Sequence, residues 1–343
     1  MNIKSFLLVA TALIVSLAAC KKKEEETTYL SFQGSVEFTL PSFARVGNKI
    51  TVTPSELPTR ASTDSNPDLP GCYWYISEFN LRDTVRHEGD PDSLPLSFTF
   101  EVPDSLQTFT VLCGVFADGY TGTSTSLSCV AVRTEGPHRS LQGVDLPKSA
   151  FTDTRDFRVY HYTKVGGLDW MAENLAWPKA GFSYFDSDIL DDLFGRYYTW
   201  NEARTSCPNG WRLPTNQEFL AFNNAFVSEP ETTALATFQH GAGAHMANGY
   251  FNGIRMWDYW PDVTAKNISG FSLIPLGYLS IQDASHNHRD VLSYCLFWTA
   301  DEVNEDQAWF RSVYMKYDTI GCEAGYKDYM AMSVRCVRDS KTD

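Results

Sequence analysis

The side chains able to do chemistry in this chain of 343 residues include eight cysteines and seven histidines, set among 42 carboxylates. Seven of the cysteines follow residue 20: Cys72, Cys113, Cys129, Cys207, Cys295, Cys322 and Cys336. No two stand at the C-x-x-C spacing of a zinc ribbon or a thioredoxin-like centre. Their number is odd, so at least one thiol is free or pairs with another molecule. His240 and His245 stand in a Gly-rich stretch, and His286 and His288 in a polar one. Either pair can ligate a metal, but a lone pair in such a segment is more often incidental, and no metal ligand is assigned. The carboxylates Asp186, Asp188, Asp191 and Asp192 are of the type that hydrolyses glycosides. That chemistry needs two carboxyl groups about 5–9 Å apart across a cleft, which closeness in sequence does not supply. They read as loop charges. Walker, His-Glu-x-x-His and Gly-x-Ser-x-Gly motifs are missing. The expectation is a non-enzyme with no catalytic residue, metal or cofactor.

Aromatic residues offer a different chemistry. Residues 248–262 are the densest aromatic stretch in a chain that is 14% aromatic. Flat rings stack on sugar faces or partner side chains, and a flanking Asp or Asn takes hydroxyls. Trp257, Asp258, Tyr259 and Trp260 are therefore the candidate ligand-binding residues. The bland alternative, and the commoner outcome, is that such rings fill the core of a loop-rich domain. Nucleic acid is an improbable partner, because 28 basic against 42 acidic residues leave a net charge of −14.

These residues must be positioned by elements, and the chain splits near residue 140. Residues 1–19 read as a processing segment, with Lys4 before an apolar run that is short of the ~20 residues a membrane span needs. Segments 36–40 and 49–53 alternate apolar and polar residues, and 72–76, 96–102, 109–113 and 128–132 complete a set of short strands, with Gly, Pro, Asn and Asp between them. That spacing predicts an antiparallel β-sandwich over 29–136. The loop 82–94 holds His87, read as solvated. Residues 137–150 have no period and carry Pro at both ends, so they predict a linker. From 151 to 339 the pattern is mixed. Residues 159–165 predict a strand and Gly166-Gly167 a turn. Asn201 is expected to cap a short helix. Thr215 and Glu218 form a capping box opening a second helix over 216–226.

Four resemblances add to this reading. Leu17-Ala18-Ala19-Cys20 resembles the lipobox of bacterial lipoproteins, which implies cleavage before Cys20 and acylation of it. The tether 20–28, basic then acidic, resembles the surface-export tethers of Bacteroidetes-type lipoproteins. Together they imply a lipid-anchored protein on the outer membrane, displayed at the cell surface. The 29–136 segment resembles immunoglobulin-like modules of the PKD type, with Tyr73, Trp74 and Tyr75 on the mid-domain strand. Finally, the strings WMAENL (170–175), GRYYTW (195–200), CPNGWRLPT (207–215), SGFSLIPLGY (269–278), FWTADE (297–302) and SVRCVRD (333–339) resemble, in order, the Fibrobacter succinogenes major paralogous domain.

That resemblance implies an exported protein with an α+β, C-type lectin-like domain. It places Cys207 near the end of the first helix and Cys336 on the last strand, where lectin-like domains carry a disulfide. Cys295 and Cys322 are expected as a second bridge of that half, and Cys113 pairs with either Cys72 or Cys129. The calcium-binding tripeptides of such lectins are missing, and the acidic run 302–306 reads as a solvated turn, since calcium needs six to eight convergent oxygens. The expected function is capture of a glycan or protein at the surface. The alternatives are a structural part of a surface assembly or an extracellular hydrolase.

Overall fold

The computed structural model describes residues 28–90, 96–282 and 286–341. Cys20, the segment before it and all of the tether but Thr28 lie outside those residues. The described chain is rich in β-strand, has few helices and is spread over several sheets. None of its helices is long and apolar enough to cross a membrane.

In the N-terminal half five strands form one sheet, in the order Phe43–Arg45, Thr123–Val132, Thr108–Phe116, Gly71–Ile76, Leu81–Arg86. Neighbours run antiparallel except Phe43–Arg45, which is parallel to its partner. Lys49–Val52 pairs with Phe98–Glu101, and Glu37–Phe38 with Pro54–Glu56, as separate ribbons. The period-two pattern has its expected effect. Phe109, Val111, Cys113 and Val115 point inward from one strand and meet Trp74, Ile76, Val52, Phe98 and Phe100 in one core. Trp74 is fully buried, and its Nε1 donates to the Leu96 carbonyl at 3.0 Å. Several strands are longer or newer than the sequence pattern suggested. Thr123–Val132 extends five residues before the apolar run, because the Ser residues there face outward, the Thr residues are half-buried on the core side, and the backbone pairs along the whole length. Leu81–Arg86 is an edge strand, so the segment expected as a loop over 82–94 begins as paired backbone.

The C-terminal half is closed by a sheet that joins its two ends. Val159–Val165 and Leu168–Met171 form a hairpin, Ala150–Thr152 pairs with the first, and Val337–Asp339 with the second. The hairpin turn is Gly166-Gly167, both at positive φ (63° and 80°), which favours glycine. Tyr294–Glu302, Gln307–Tyr314 and Ile320–Tyr326 form an antiparallel meander. Two helices pack beside it. Trp200–Ser206 opens at Thr199, whose side chain accepts from the Glu202 amide while Glu202 accepts from the Thr199 amide. The cap is therefore Thr199 and not Asn201, because only Thr199 has a glutamate three residues on. Asn216–Asn224 carries the Thr215–Glu218 box.

Cys207, which closes the first helix, is bonded to Cys336, with their Cα atoms 5.9 Å apart. Cys336 stands just before the final strand instead of inside it. Cys295 and Cys322 are free thiols, contrary to the expected second bridge. They lie on the two outer strands of the meander, Cys295 opposite Val313 and Cys322 opposite Arg311. Two strand spacings of about 4.8 Å put their Cα atoms roughly 10 Å apart, beyond the ~7 Å a disulfide spans.

The stretch expected as a linker is docked instead of free. Leu141–Gln142 pairs with Tyr250–Phe251, and Leu141 is buried. The halves share a core in which Phe43, Val130 and Val132 meet Tyr184, Phe194 and Phe251. Asp192 lies between Arg45 of one half and Arg158 of the other, at 2.7 Å from each. Asn252 Nδ2 donates to the Ala131 carbonyl at 2.9 Å.

Candidate functional site

Most of the titratable groups singled out in the sequence are held in structural contacts, while Asp188 is exposed. Asp191 is paired with Arg196, and burial raises its carboxyl above the ordinary range while that arginine opposes the shift. Asp192 is the bridge between the halves, and Asp186 lies 2.9 Å from His286 Nδ1. His245, in the Gly-rich stretch, ends the short helix Ala242–His245 and is fully buried. Its Nδ1 lies 2.9 Å from Ser269 Oγ and its Nε2 2.9 Å from Asn223 Oδ1. His240 is half-exposed, 3.9 Å from Asp318, and does not converge with it. His288 Nε2 accepts from the Phe185 amide at 2.9 Å. Among the described residues no three His, Cys, Asp or Glu side chains come together as a metal would require.

The acidic run 302–306 has an internal cation. Lys327, which is buried, donates from Nζ to Glu302 Oε2 at 2.7 Å and to the Asn304 and Glu305 carbonyls at 2.8 and 2.9 Å. The ammonium also lies 4.5 Å over the Trp200 ring. Three oxygens and an aromatic face thus surround one positive charge, which offsets the Glu302 carboxylate and satisfies two loop carbonyls.

Two buried arginines organise the domain around this. Arg335 donates to Asn174 Oδ1 and the Phe271 carbonyl at 2.6 Å each, and to the Ser272 carbonyl at 3.0 Å. It therefore ties together the strings around 170–175, 269–278 and 333–339. Arg311 donates to Asn216 Oδ1 at 2.8 Å and to the carbonyls of Ala234 and Ala236. Burial lowers both guanidiniums to about 10, so both stay charged at neutral pH. Neither faces solvent, and their role is to hold backbone in place.

The aromatic candidates divide. Trp257 is 1% exposed, and its Nε1 donates to the Leu273 carbonyl at 3.0 Å. It is a core residue packed with Phe222, Phe271 and Phe297, which removes it from the expected ligand-binding set. Asp258 and Tyr259 are exposed, Tyr259 by 73%, and Trp260 is half-buried. Trp260 is part of a group that the sequence did not single out. Lys316 Nζ lies 4.2 Å from the Trp260 ring and 5.8 Å from that of Tyr314. Tyr314 stacks on Tyr294 with centroids 4.4 Å apart and an angle of 18°, and meets Tyr317 edge-on at 5.7 Å.

Strand geometry explains the grouping. Tyr294 and Tyr314 are directly opposite across two antiparallel strands, so their side chains share a face. The chain then runs past the strand end with Met315 turned inward and Lys316 and Tyr317 turned toward solvent. The signal for this in the sequence is slight: a Tyr-x-Lys-Tyr run whose partner lies more than fifty residues away. The resulting surface is aromatic, partly wetted and anchored on a sheet. Such rings bind sugar C–H faces or apolar side chains by stacking, while phenol and ammonium groups take polar atoms.

Residues 163–338, just over half of the chain, match the family model described as the Fibrobacter succinogenes major domain. No curated protein matches the chain.

Proposed function

The chain belongs to the Fibrobacter succinogenes major domain family, and on that footing we propose an exported, lipid-anchored surface protein whose C-terminal half captures a glycan without catalysis. The N-terminal half is read as an immunoglobulin-like sandwich that spaces the binding domain from the outer membrane. Its five-stranded sheet facing shorter ribbons over a shared core supports that assignment. The C-terminal half is read as C-type lectin-like. The two capped helices, a sheet joining both ends and a disulfide from the end of Trp200–Ser206 to the residue before the last strand are in keeping with it. Anchoring rests on Leu17-Ala18-Ala19-Cys20.

The observation that carries the binding role is the contiguous surface of Trp260, Lys316, Tyr314, Tyr294 and Tyr317. Partly exposed Trp and Tyr are the residue types that dominate binding energy when a partner covers them. A glycan-array screen of the chain beside its Trp260→Ala/Tyr314→Ala variant tests it. Saccharide hits on the wild type, weakened at least about tenfold in the variant, are the expected result, since tenfold is about 1.4 kcal/mol and each ring should supply at least half of that. An array on which the wild type binds nothing, or hits that survive both substitutions, would refute the glycan reading.

A further inference from the structure

Two thiols meet in the five-stranded sheet. Cys72 on Gly71–Ile76 and Cys113 on Thr108–Phe116 are both buried, with Sγ atoms 3.7 Å apart. The register accounts for this. Cys72 is opposite Val115 and Cys113 opposite Trp74, so the two cysteines are diagonal neighbours on one face of adjacent antiparallel strands. Cys129, the third described thiol of this half, is opposite Phe109, whereas Cys113 is opposite Thr125. Four residues of strand, about 13 Å, therefore separate Cys129 from Cys113 along the sheet. Cys72 is a further strand away from Cys129. A bridge to Cys129 would need the sheet to change register, whereas Cys72 and Cys113, with sulfur atoms already 3.7 Å apart, need only a slight approach of their two strands.

We propose that Cys72 and Cys113 close as a disulfide between neighbouring strands when the chain folds in the presence of a disulfide oxidant, and that Cys129 remains a thiol. The oxidant is a small-molecule disulfide such as glutathione disulfide, or the oxidised dithiol of an exchange protein. One protein thiolate attacks a sulfur of the oxidant, forms a mixed disulfide and releases the first oxidant thiolate. The second protein thiolate attacks the protein sulfur of that mixed disulfide and releases the other. Two cysteine thiols lose two electrons and two protons, and the oxidant disulfide becomes two thiols. Burial sets the timing. In the finished sheet both sulfurs are sealed from a bulky reagent, so exchange takes place before the strands close, and the closed sheet then shields the bond.

The test is to unfold and reduce the full chain, refold it in a glutathione redox buffer, and alkylate it in denaturant without reductant before digestion. Mass spectrometry should recover a peptide joining Cys72 to Cys113, with Cys129, Cys295 and Cys322 alkylated. Recovery of the Cys207–Cys336 peptide from the same digest establishes that the buffer oxidises. With that control present, alkylated Cys72 and Cys113, or any peptide joining Cys129 to either, overturns the proposal. Cys129→Ser should leave the joined peptide unchanged. Cys72→Ser should leave Cys113 alkylated and unlinked; transfer of Cys113 to Cys129 in that variant would show that the register does not select the pair.

Discussion

At the scale of single residues, His245 is the most informative titratable group. Asn223 Nδ2 donates to the His240 carbonyl, so its Oδ1 faces the imidazole as an acceptor and Nε2 carries the proton. Nδ1 then accepts from Ser269, and the neutral ring is fully satisfied. Burial pushes its pKa down to about 3. An unfolded histidine protonates near 6.5 and the folded one near 3, so the unfolded chain binds the extra proton between these values. The stability contributed by this site is complete above about pH 6.5 and falls by roughly 1.4 kcal/mol per pH unit as pH drops toward 3. Chemical denaturation from pH 7 to pH 4 should show a steeper loss in the wild type than in His245→Gln. Equal slopes would mean that the ring is solvated or already charged in the folded state. Neighbouring positions show the same dependence on surroundings. Trp257 and Trp260 are three residues apart, yet one fills the core and the other faces Lys316.

At the scale of elements, helices and turns are held by charges placed within a few residues of where they act. The Thr199–Glu202 and Thr215–Glu218 boxes satisfy helix-start amides that would otherwise lack partners. The acidic turn after Glu302 is different, since its cation comes from Lys327, two strands further along. Replacing Lys327 with Met leaves two carbonyls and a carboxylate without their donor, which should destabilise the domain by about 2–3 kcal/mol. Because the ammonium already fills the loop, the wild-type melting temperature should not move with added calcium or with chelator. A calcium-dependent rise in the wild type would show that a divalent ion displaces Lys327. A loss in Lys327→Met well below 1 kcal/mol would show that water replaces the ammonium without penalty.

At the scale of the whole molecule, closure of the C-terminal half depends on one long-range bond. The Cys207–Cys336 disulfide spans 129 residues. Chain-entropy reasoning assigns a loop of that length about 4–5 kcal/mol, a large fraction of the roughly 5–15 kcal/mol by which domains are stable. Cys207→Ser should therefore lower the melting temperature sharply, and reductant should do the same to the wild type while adding nothing to the variant. A variant that melts like the wild type would show that the four-stranded sheet closes the domain unaided. The two halves also meet through the shared core and the Arg45–Asp192–Arg158 contact, so the aromatic surface is carried on a body larger than the family domain alone.

What the amino-acid order determined by itself is what local rules govern. Short β-prone runs between turn residues marked the strands around Trp74 and Phe109, because aromatic and β-branched side chains suit a pleated, half-buried surface. The Thr215–Glu218 box marked a helix start, because both partners lie within one turn. The ordered strings of the C-terminal half marked its family, and Arg335 shows one physical reason for their company: a buried guanidinium needs acceptors from several of them at once. Tertiary structure alone decided the rest. Whether an aromatic is core or surface depends on which distant strand covers it, and Trp260 meets Lys316 only because the meander brings the end of one strand beside its loop. Which cysteines pair depends on register across strands. That is why Cys295 and Cys322 stay apart while Cys72 and Cys113 touch. Leu141 docks because a partner strand more than a hundred residues later presents a free edge, a fact that no window of sequence around it contains.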